Sequence, residues 1–324
     1  MKFLIIGLGS MGKRRIRNLH YLGHKNITGF DIRYDRLEES SNSYGISTLQ
    51  SLTGIDLSSF THVIISTPPD AHMEYAKKFH AEGKHVFIEA SVVDDGYGEL
   101  LQSIRDRKNI LAPSCSMRFD PLNVQVKQWL DTGRIGRALF CQHHFGLYLP
   151  KWHPYEKMHD FYVSNRETGA AREIVPFDLV YLSWFFGLPC DIRSLIDQTG
   201  RLDVDIDDIY SLIFKTPKCR VIQMTIDVVS QVPYRTTRVV GEKGNIELNT
   251  VVGDLALYES SDDRWTKTTR LKLSKTTSTE EMYVQELKCF LEATQGLRAY
   301  PYSLQDDQEI LKQLYACEGL AKRK

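Results

Sequence analysis

Residues 3–12 read "FLIIGLGSMG", in which four apolar residues lead into glycines at Gly7, Gly9 and Gly12. The apolar run predicts a short buried strand, and a helical pattern begins at Met11, just before the third glycine. G-x-G-x-x-G between a strand and a helix is typical of a dinucleotide site, because glycines permit a tight turn and close approach of a pyrophosphate. Asp31 ends the next apolar strand, 19 residues (31 − 12) beyond the last glycine. This spacing predicts a nicotinamide dinucleotide site.

The residues after the second strand bear on which dinucleotide binds. The Asp31 carboxylate can accept hydrogen bonds from both ribose hydroxyls and repels a 2′-phosphate, which favours NAD. Arg33 and Arg36 follow closely and could instead hold a 2′-phosphate, so NADP is an open alternative.

The first 115 residues alternate short apolar strands with helical segments. This rhythm predicts an α/β fold with a doubly wound parallel sheet, which binds ligands beyond the carboxyl ends of its strands. Strands are predicted at 2–6, 27–31, 62–66, 85–89 and 109–114, and helices at 11–23, 34–44, 70–82 and 97–107.

The pattern changes after "RFDP" (118–121), where long runs of strands replace the alternation. The segment 191–274, with turns predicted at Gly244-Asn245 and Gly253-Asp254, indicates an open, mainly antiparallel sheet with helices on one side. Its last predicted strand is "TRLKLS" (269–274). Other elements are predicted as helices at 121–132, 173–186, 281–294 and 304–321 and a strand at 138–147. We expect a dinucleotide-binding domain at 1–117 and a substrate and oligomerisation domain at 118–324, with the last helix returning to the first domain.

Composition argues against several classes of function. With 41 basic and 41 acidic side chains the formal charge is zero, which gives no electrostatic footprint for nucleic acid or an anionic membrane. The six cysteines show no Cys-x-x-Cys pair, so buried free thiols and no metal site are expected. The apolar N-terminus makes a poor signal peptide, and no stretch is long enough to span a membrane. The cytoplasm is the expected location.

The segment "STPPDAHMEYAKKFHAEGKHVFIEAS" (66–91) carries a family resemblance. Thr67, Pro68 and His72 resemble the T-P-x-x-x-H signature of the glucose–fructose oxidoreductase/inositol dehydrogenase (Gfo/Idh/MocA) family. Further matches cover nearly the whole chain: "RFDP" (118–121), "TGRIGRA" (132–138), "VVGEKGNIEL" (239–248) and "YSLQDDQEILKQLYACEG" (302–319). The resemblance implies a Rossmann domain, an open-sheet domain, a homodimer or homotetramer, and NAD(P)-linked oxidation or reduction of a sugar or polyol. A nucleotide-activated or acidic sugar is one expected form of the substrate. The expected cofactor contacts are Gly7, Leu8, Gly9, Ser10, Met11, Gly12, Asp31, Arg33, Ser66, Thr67, Pro68, His72, Glu89 and Ala90.

Two positions depart from the family pattern. The family usually carries Glu-Lys-Pro where this chain reads Glu89-Ala90-Ser91, and an Asp followed four residues later by a His where it has Glu173 and Phe177. Three hypotheses follow: a rewired sugar oxidoreductase, a catalytically degenerate NAD-binding regulatory or scaffold protein, or a redox-neutral epimerase or lyase with tightly bound NAD.

Polar and aromatic residues are dense in 148–178, where a rewired site would recruit them. By family register Glu173 is the candidate base, and Arg172 beside it is expected to hold an anionic substrate group or keep that carboxylate ionised. His153 and Tyr162 are expected to titrate or donate a hydrogen bond. The predicted catalytic set is therefore Glu173, Arg172, His153 and Tyr162, and the predicted substrate contacts are Arg118, Lys151, Trp152 and Asp178.

Overall fold

The protein is described by a computed structural model that covers residues 1–104, 108–152, 157–160, 162–274 and 279–320. It consists of two compact units. The first contains Met1–Ser116 together with Met282–Glu309, and the second contains Met117–Glu281 together with the last helix from Ile310 onward.

The first unit is built on a six-stranded parallel sheet with the strand order β3-β2-β1-β4-β5-β6. The order reverses between β1 and β4, which is the switch point at which doubly wound sheets bind ligands. The predicted fold class is confirmed. The strands are β1 (Phe3–Ile6), β2 (Ile27–Phe30), β3 (Ser47–Leu49), β4 (His62–Ile65), β5 (His85–Ile88) and β6 (Leu111–Pro113). The helices are α1 (Ser10–Tyr21), α2 (Tyr34–Tyr44), α3 (His72–Ala81) and α4 (Tyr97–Ser103).

The core of this unit includes a helix from much later in the chain. Leu287, Phe290 and Leu291 are buried in the same apolar cluster as Phe3 of β1 and Phe87 of β5. The three come from a helix over Glu280–Thr294, numbered α8 in chain order. In the sequence these three residues recur at helical spacing, a pattern that predicts the core role which the structure shows.

The second unit is built on an eight-stranded sheet with the order β14-β13-β12-β11-β7-β10-β9-β8. β7 and β10 pair in parallel, and the other neighbours are antiparallel. The strands are β7 (Ala138–Tyr148), β8 (Cys190–Asp197), β9 (Ile209–Lys215), β10 (Cys219–Asp227), β11 (Val229–Gly241), β12 (Gly244–Asn249), β13 (Asp254–Glu259) and β14 (Arg264–Thr269). The remaining helices are α5 (Pro121–Asp131), α6 (Ala170–Phe186), α7 (Arg270–Ser274) and α9 (Leu304–Leu320).

The two faces of the large sheet differ in burial. Side chains on one face, such as Leu212, Met224 and Val239, are buried, and α6 contacts β9 and β10. The alternate side chains are exposed or half-buried, among them Ile213 and Val221. In the isolated chain the sheet is therefore open on one side, as the sequence predicts.

The sequence misassigned one element and one turn. Residues 270–274 form helix α7 rather than a strand, although their apolar and basic residues alternate. Arg270, and not Leu271, is the buried side chain, because its guanidinium pairs with Asp120 and donates to the carbonyl of Thr250. The hairpin between β11 and β12 turns at residues 242–243, two positions before the predicted turn at Gly244-Asn245. The short strand β3 and the strands β8 and β14 were not predicted individually.

Most of the cysteines match the expectation of buried thiols. All six are free and five are buried, while Cys190 is exposed. Among the described residues, no helix has the length and apolar character needed to cross a bilayer.

Candidate functional site

Two glycines of the loop after β1 stand at positions where a side chain would clash with the neighbouring backbone. Gly7 has φ of +90°, and a Cβ on it would lie 2.6 Å from the carbonyl oxygen of Ser66. A Cβ on Gly12 would lie 1.9 Å from the carbonyl oxygen of Gly7. Gly9 is the N-cap residue of α1 and has no side chain to cap the helix. The first-turn N–H groups and the helix dipole therefore suit a pyrophosphate, and the loop fits a dinucleotide.

Asp31 is buried beside this loop and fixes its shape. One carboxylate oxygen accepts a hydrogen bond from the Leu8 N–H at 2.7 Å, and the other accepts from the Arg33 N–H at 2.9 Å. A carboxylate has further lone pairs with which to accept ribose hydroxyls. Ile32, directly after it, is 77% exposed, and an exposed apolar side chain here suits stacking with an adenine.

The two arginines after β2 are placed differently. The Arg33 guanidinium pairs with Asp35 at 2.5 Å. Arg36 lies 3.8 Å from the Asp31 carboxylate and 3.5 Å from the position of a Cβ on Gly9. Of these two candidates for a 2′-phosphate, Arg36 is thus the cation next to the glycine loop, although the expected cofactor contacts included only Arg33.

The ends of β4 and β5 are connected through His72. Its Nε2 lies 2.9 Å from the carbonyl oxygen of Thr67, and its Nδ1 lies 3.2 Å from the hydroxyl of Ser91. Burial lowers the pKa of His72, so the ring is neutral and donates to the carbonyl. The T-P-x-x-x-H pattern therefore fixes the backbone at the end of β4 from the first turn of α3.

Glu89 ends β5 and is held by a buried arginine. Arg15 of α1 is fully buried, and its Nε and one terminal nitrogen donate to the two Glu89 oxygens at 2.6 and 2.9 Å. The same terminal nitrogen donates to Glu286 of α8 at 2.8 Å. Ala90, where the family pattern has Lys, carries no functional group.

In the second unit the first turn of α6 presents Glu173. The Tyr162 hydroxyl lies 3.0 Å from both of its carboxylate oxygens and donates to them. The residue is half-buried as a whole, but protein surrounds the carboxyl, and this desolvation raises the pKa of Glu173 to about 7 against the opposing effect of the Tyr162 hydrogen bond. Of the predicted catalytic residues, the structure brings these two together.

One turn further along α6 lies a buried polar network. Asp178 is fully buried and accepts from His143 at 2.8 Å, and Arg235 lies 3.2 Å from its other oxygen. The Arg235 guanidinium lies 4.3 Å from the ring centre of Phe145 and 5.5 Å from that of Phe177. Asp178, predicted as a substrate contact, is therefore engaged inside the protein and positions Arg235.

The other predicted residues are spread over several partners. Arg172 pairs with Glu318 of α9 at 2.6 Å, so its guanidinium anchors the last helix, which favours a structural role over the predicted catalytic one. Arg118 donates to the Val180 carbonyl at 3.1 Å. Lys151 is exposed and lies 5.8 Å from the Tyr148 ring. Trp152 is half-buried next to it, and His153 lies outside the described residues.

Two family models match this chain in succession. One, described as an oxidoreductase family with an NAD-binding Rossmann fold, matches residues 1–102. The other, the GFO/IDH/MocA C-terminal domain, matches residues 123–247. Together they cover more than half of the chain. The chain belongs to the Gfo/Idh/MocA family.

Similar proteins of this family include dehydrogenases of sugars and polyols. An inositol 2-dehydrogenase of Rhizobium meliloti is 26% identical over 146 residues, which are 43% of this chain and 43% of that protein. The alignment thus spans less than half of that relative. A levoglucosan dehydrogenase in complex with NADH has a TM-score of 0.86 at 18% identity, covering 99% of this chain and 96% of that one. A UDP-N-acetylglucosamine 3-dehydrogenase of Acidithiobacillus ferrooxidans has a TM-score of 0.81 at 17% identity, covering 99% and 98%. At these identities the structural likeness establishes the fold.

Sequence reasoning about this Gfo/Idh/MocA protein missed three charged residues. Arg15, Arg235 and Glu286 were not singled out. Glu286 lies between Tyr283 and Leu287 on the apolar face of α8, and a carboxylate in an apolar stripe is a signal that could have been used. Arg235 shares a strand face with the buried Thr237 and Val239, which is a weaker signal of the same kind.

Proposed function

We propose that this protein is an NAD(H)-dependent oxidoreductase acting on a hydroxyl or keto group of a sugar or sugar derivative. The pairing of Glu173 with Tyr162 carries the proposal. A carboxyl whose pKa is raised to about 7 can exchange a proton near neutral pH, and this one occupies the family register of the acid–base residues. The names of the similar proteins, which are dehydrogenases of inositol, levoglucosan and UDP-N-acetylglucosamine, support the substrate class by analogy.

In the proposed reaction the protein's own groups bind, orient and move the proton. Bound NAD supplies the acceptor for the hydride. Glu173 takes the proton of the substrate hydroxyl in oxidation and returns it in reduction. Tyr162 holds both oxygens of that carboxylate, which fixes its direction and limits the rise of its pKa. Tyr148 and Trp152 offer aromatic faces on which a sugar ring can rest.

Asp31 supports NAD rather than NADP as the cofactor. Its buried carboxylate lies against the glycine loop, where a 2′-phosphate would add a second negative charge. Arg36 acts in the opposite direction, since its guanidinium is 3.8 Å from that carboxylate. We infer that the carboxylate dominates, because it is buried and the arginine is partly exposed.

A non-catalytic, NAD-binding protein is the second candidate. Ala90 and Phe177 stand where the family usually has the catalytic lysine and histidine, and both changes remove a proton-transfer group. The intact glycine loop and Asp31 would be retained in such a protein. The Glu173–Tyr162 pair argues against it, because a buried carboxyl is costly to keep without a use.

The experiment that separates these candidate functions measures the bound cofactor and the turnover of one protein preparation. One portion of the purified protein is denatured, and its supernatant is assayed for NAD(H). The remaining native protein is incubated with NAD⁺ and screened against nucleotide sugars and sugar acids. NADH formation with a member of the panel supports the oxidoreductase. Cofactor that binds while every sugar is inert favours the second candidate, and cofactor that never exchanges favours redox-neutral chemistry.

A further inference from the structure

Three buried charges form a connected network in the first unit. Arg15 is bonded to Glu89 at 2.6 Å and to Glu286 at 2.8 Å. Arg15 and Glu286 are fully buried and Glu89 is 7% exposed, so water does little to screen them. Two carboxylates thus share one guanidinium, and the network carries one negative charge in excess when both carboxylates are ionised.

The hydrogen bonds of Glu286 are those of an ionised carboxylate. One of its oxygens accepts from the Ser114 hydroxyl at 2.9 Å and from the Cys115 N–H at 2.5 Å. The other accepts from Arg15. Burial raises the pKa of Glu286, while Arg15 and the Cys115 N–H oppose that rise. The Glu89 carboxylate also raises that pKa, and the excess charge is present when Glu286 is ionised, the form that these three donors stabilise.

Arg14 and His72 are two ionisable neighbours of the network. Arg14, the neighbouring cation on α1, lies 4.4 Å from the centre of the Tyr283 ring. His72, which the Glu89 carboxylate influences, is kept neutral because burial lowers its pKa. The position that would carry the family's lysine, directly after Glu89, holds Ala90.

The strand order locates this network relative to a dinucleotide. Asp31 ends β2 on one side of β1, and Glu89 ends β5 on the other side, beyond β4. A dinucleotide held with its adenosine ribose at Asp31 and its pyrophosphate on the glycine loop would direct its nicotinamide half toward the ends of β4 and β5. The Ser66 hydroxyl donates to Glu89 at 3.4 Å, and the Ser66 carbonyl borders Gly7, so the network adjoins that path.

We propose that the network of Arg15, Glu89 and Glu286 biases the bound cofactor toward its oxidised form. The nicotinamide ring carries a positive charge in NAD⁺ and none in NADH, so an excess negative charge nearby stabilises the former. A lysine at position 90 would oppose this effect, and Ala90 supplies no such positive charge. This inference rests on the proposed function insofar as NAD(H) is the cofactor.

The test compares dissociation constants of NAD⁺ and NADH for the purified full chain, without substrate, by calorimetry. In Glu286→Gln one negative charge is lost while Arg15 keeps Glu89 as its partner. We expect NAD⁺ binding to weaken relative to NADH binding by about tenfold, the effect of one charge at roughly 10 Å with an effective dielectric constant of about 20. Glu286→Asp keeps the charge, and Glu292→Gln removes a partly exposed charge of the same helix that pairs with Lys288 and Arg298. Both variants should leave the ratio within about twofold.

A second variant makes the net charge of this region more positive by one unit, as Glu286→Gln does, without replacing Arg15, Glu89 or Glu286. Ala90→Lys adds an ammonium beside Glu89 and should shift the ratio in the same direction as Glu286→Gln, whereas Ala90→Met adds similar bulk and should not. Binding of both cofactor forms with an unchanged ratio in Glu286→Gln, or in Ala90→Lys if the first variant does not fold, overturns the inference alone. Failure of the unmodified protein to bind either form overturns the proposed function as well.

Discussion

Glu173 is the residue on which the proposed chemistry depends most directly. If it takes the hydroxyl proton, Glu173→Gln removes the base while preserving the size of the side chain and its contact with Tyr162. We expect turnover to fall by about 100- to 10,000-fold, the usual effect of removing a proton-transfer group. Because Glu173 belongs to the second unit, NAD affinity should stay within a few-fold. Steady-state rates and cofactor titration measure both, and full activity in the variant would remove Glu173 from the mechanism.

The pH profile tests the same residue through its partner. A base must be ionised to act, so oxidation should speed up as pH rises through about 7, the pKa of Glu173. The Tyr162 hydrogen bond lowers that pKa, and Tyr162→Phe should therefore move the midpoint to higher pH. Tyr148→Phe is the matched control and should leave it in place. If the midpoint of the pH profile stays the same in both variants, Tyr162 does not influence the group that titrates.

Asp31 sets the expected preference between cofactors. NAD(H) should bind more tightly than NADP(H), and Asp31→Ala should narrow the gap by about tenfold as the repulsion of a 2′-phosphate disappears. The gain in NADP(H) binding should vanish when Arg36→Ala is added, but persist with Arg33→Ala, since Arg33 is paired with Asp35. Fluorescence titration of all four proteins gives the comparison. Equal affinities in the unmodified protein would contradict the NAD assignment.

At the scale of elements, β4 and β5 carry stacked histidines at their amino ends. Burial, followed by repulsion from His85, lowers the pKa of His62 to about 3. The unfolded chain protonates this ring below about 6.5 while the folded chain does not. Between those values the free energy of unfolding should fall by about 1.4 kcal/mol per pH unit for this one group as pH decreases. Urea titrations at several pH values should show that the free energy of unfolding depends less steeply on pH in His62→Gln than in the unmodified protein. Equal slopes in the two proteins would contradict this role of His62.

The elements show what the sequence could predict. β1, its glycine loop and Asp31 were predictable because their pattern is local: a strand, a turn and the next strand within some thirty residues. Helix α7 was not, because an alternating pattern suggested a strand while a distant partner, Asp120, determines which side chain is buried.

The candidate site shows the same limit more strongly. Glu173 was predicted from its position in the family motif, and Tyr162 was predicted from the polar residues of the neighbouring loop. The partner of Arg172 is Glu318, 146 residues away, and the partner of Arg15 on α8 is 271 residues away. No local sequence pattern relates residues so far apart. The sequence therefore indicated where polar residues lie along the chain but not which of them form pairs.

At the scale of the whole molecule, the open face of the large sheet predicts self-association. Leu195, Ile213 and Val221 come from the neighbouring strands β8, β9 and β10 and are 70%, 50% and 38% exposed. Exposed apolar side chains on three neighbouring strands favour cover by a second copy of the chain, so residues 205–274 are expected to contribute to a homodimer or homotetramer interface.

A pair of charges on that face should prevent the association without disturbing the buried side of the sheet. In Ile213→Glu/Val221→Glu, both carboxylates would have to be desolvated in an interface, which costs several kcal/mol each unless they are paired. We expect light scattering at micromolar concentration to give an oligomer for the unmodified protein and a single-chain mass for the double variant. Leu297→Glu, at a 71% exposed position of the first unit, is the control and should remain oligomeric. A single-chain mass for the unmodified protein would show that this face has no partner copy, and its apolar side chains would then need another explanation.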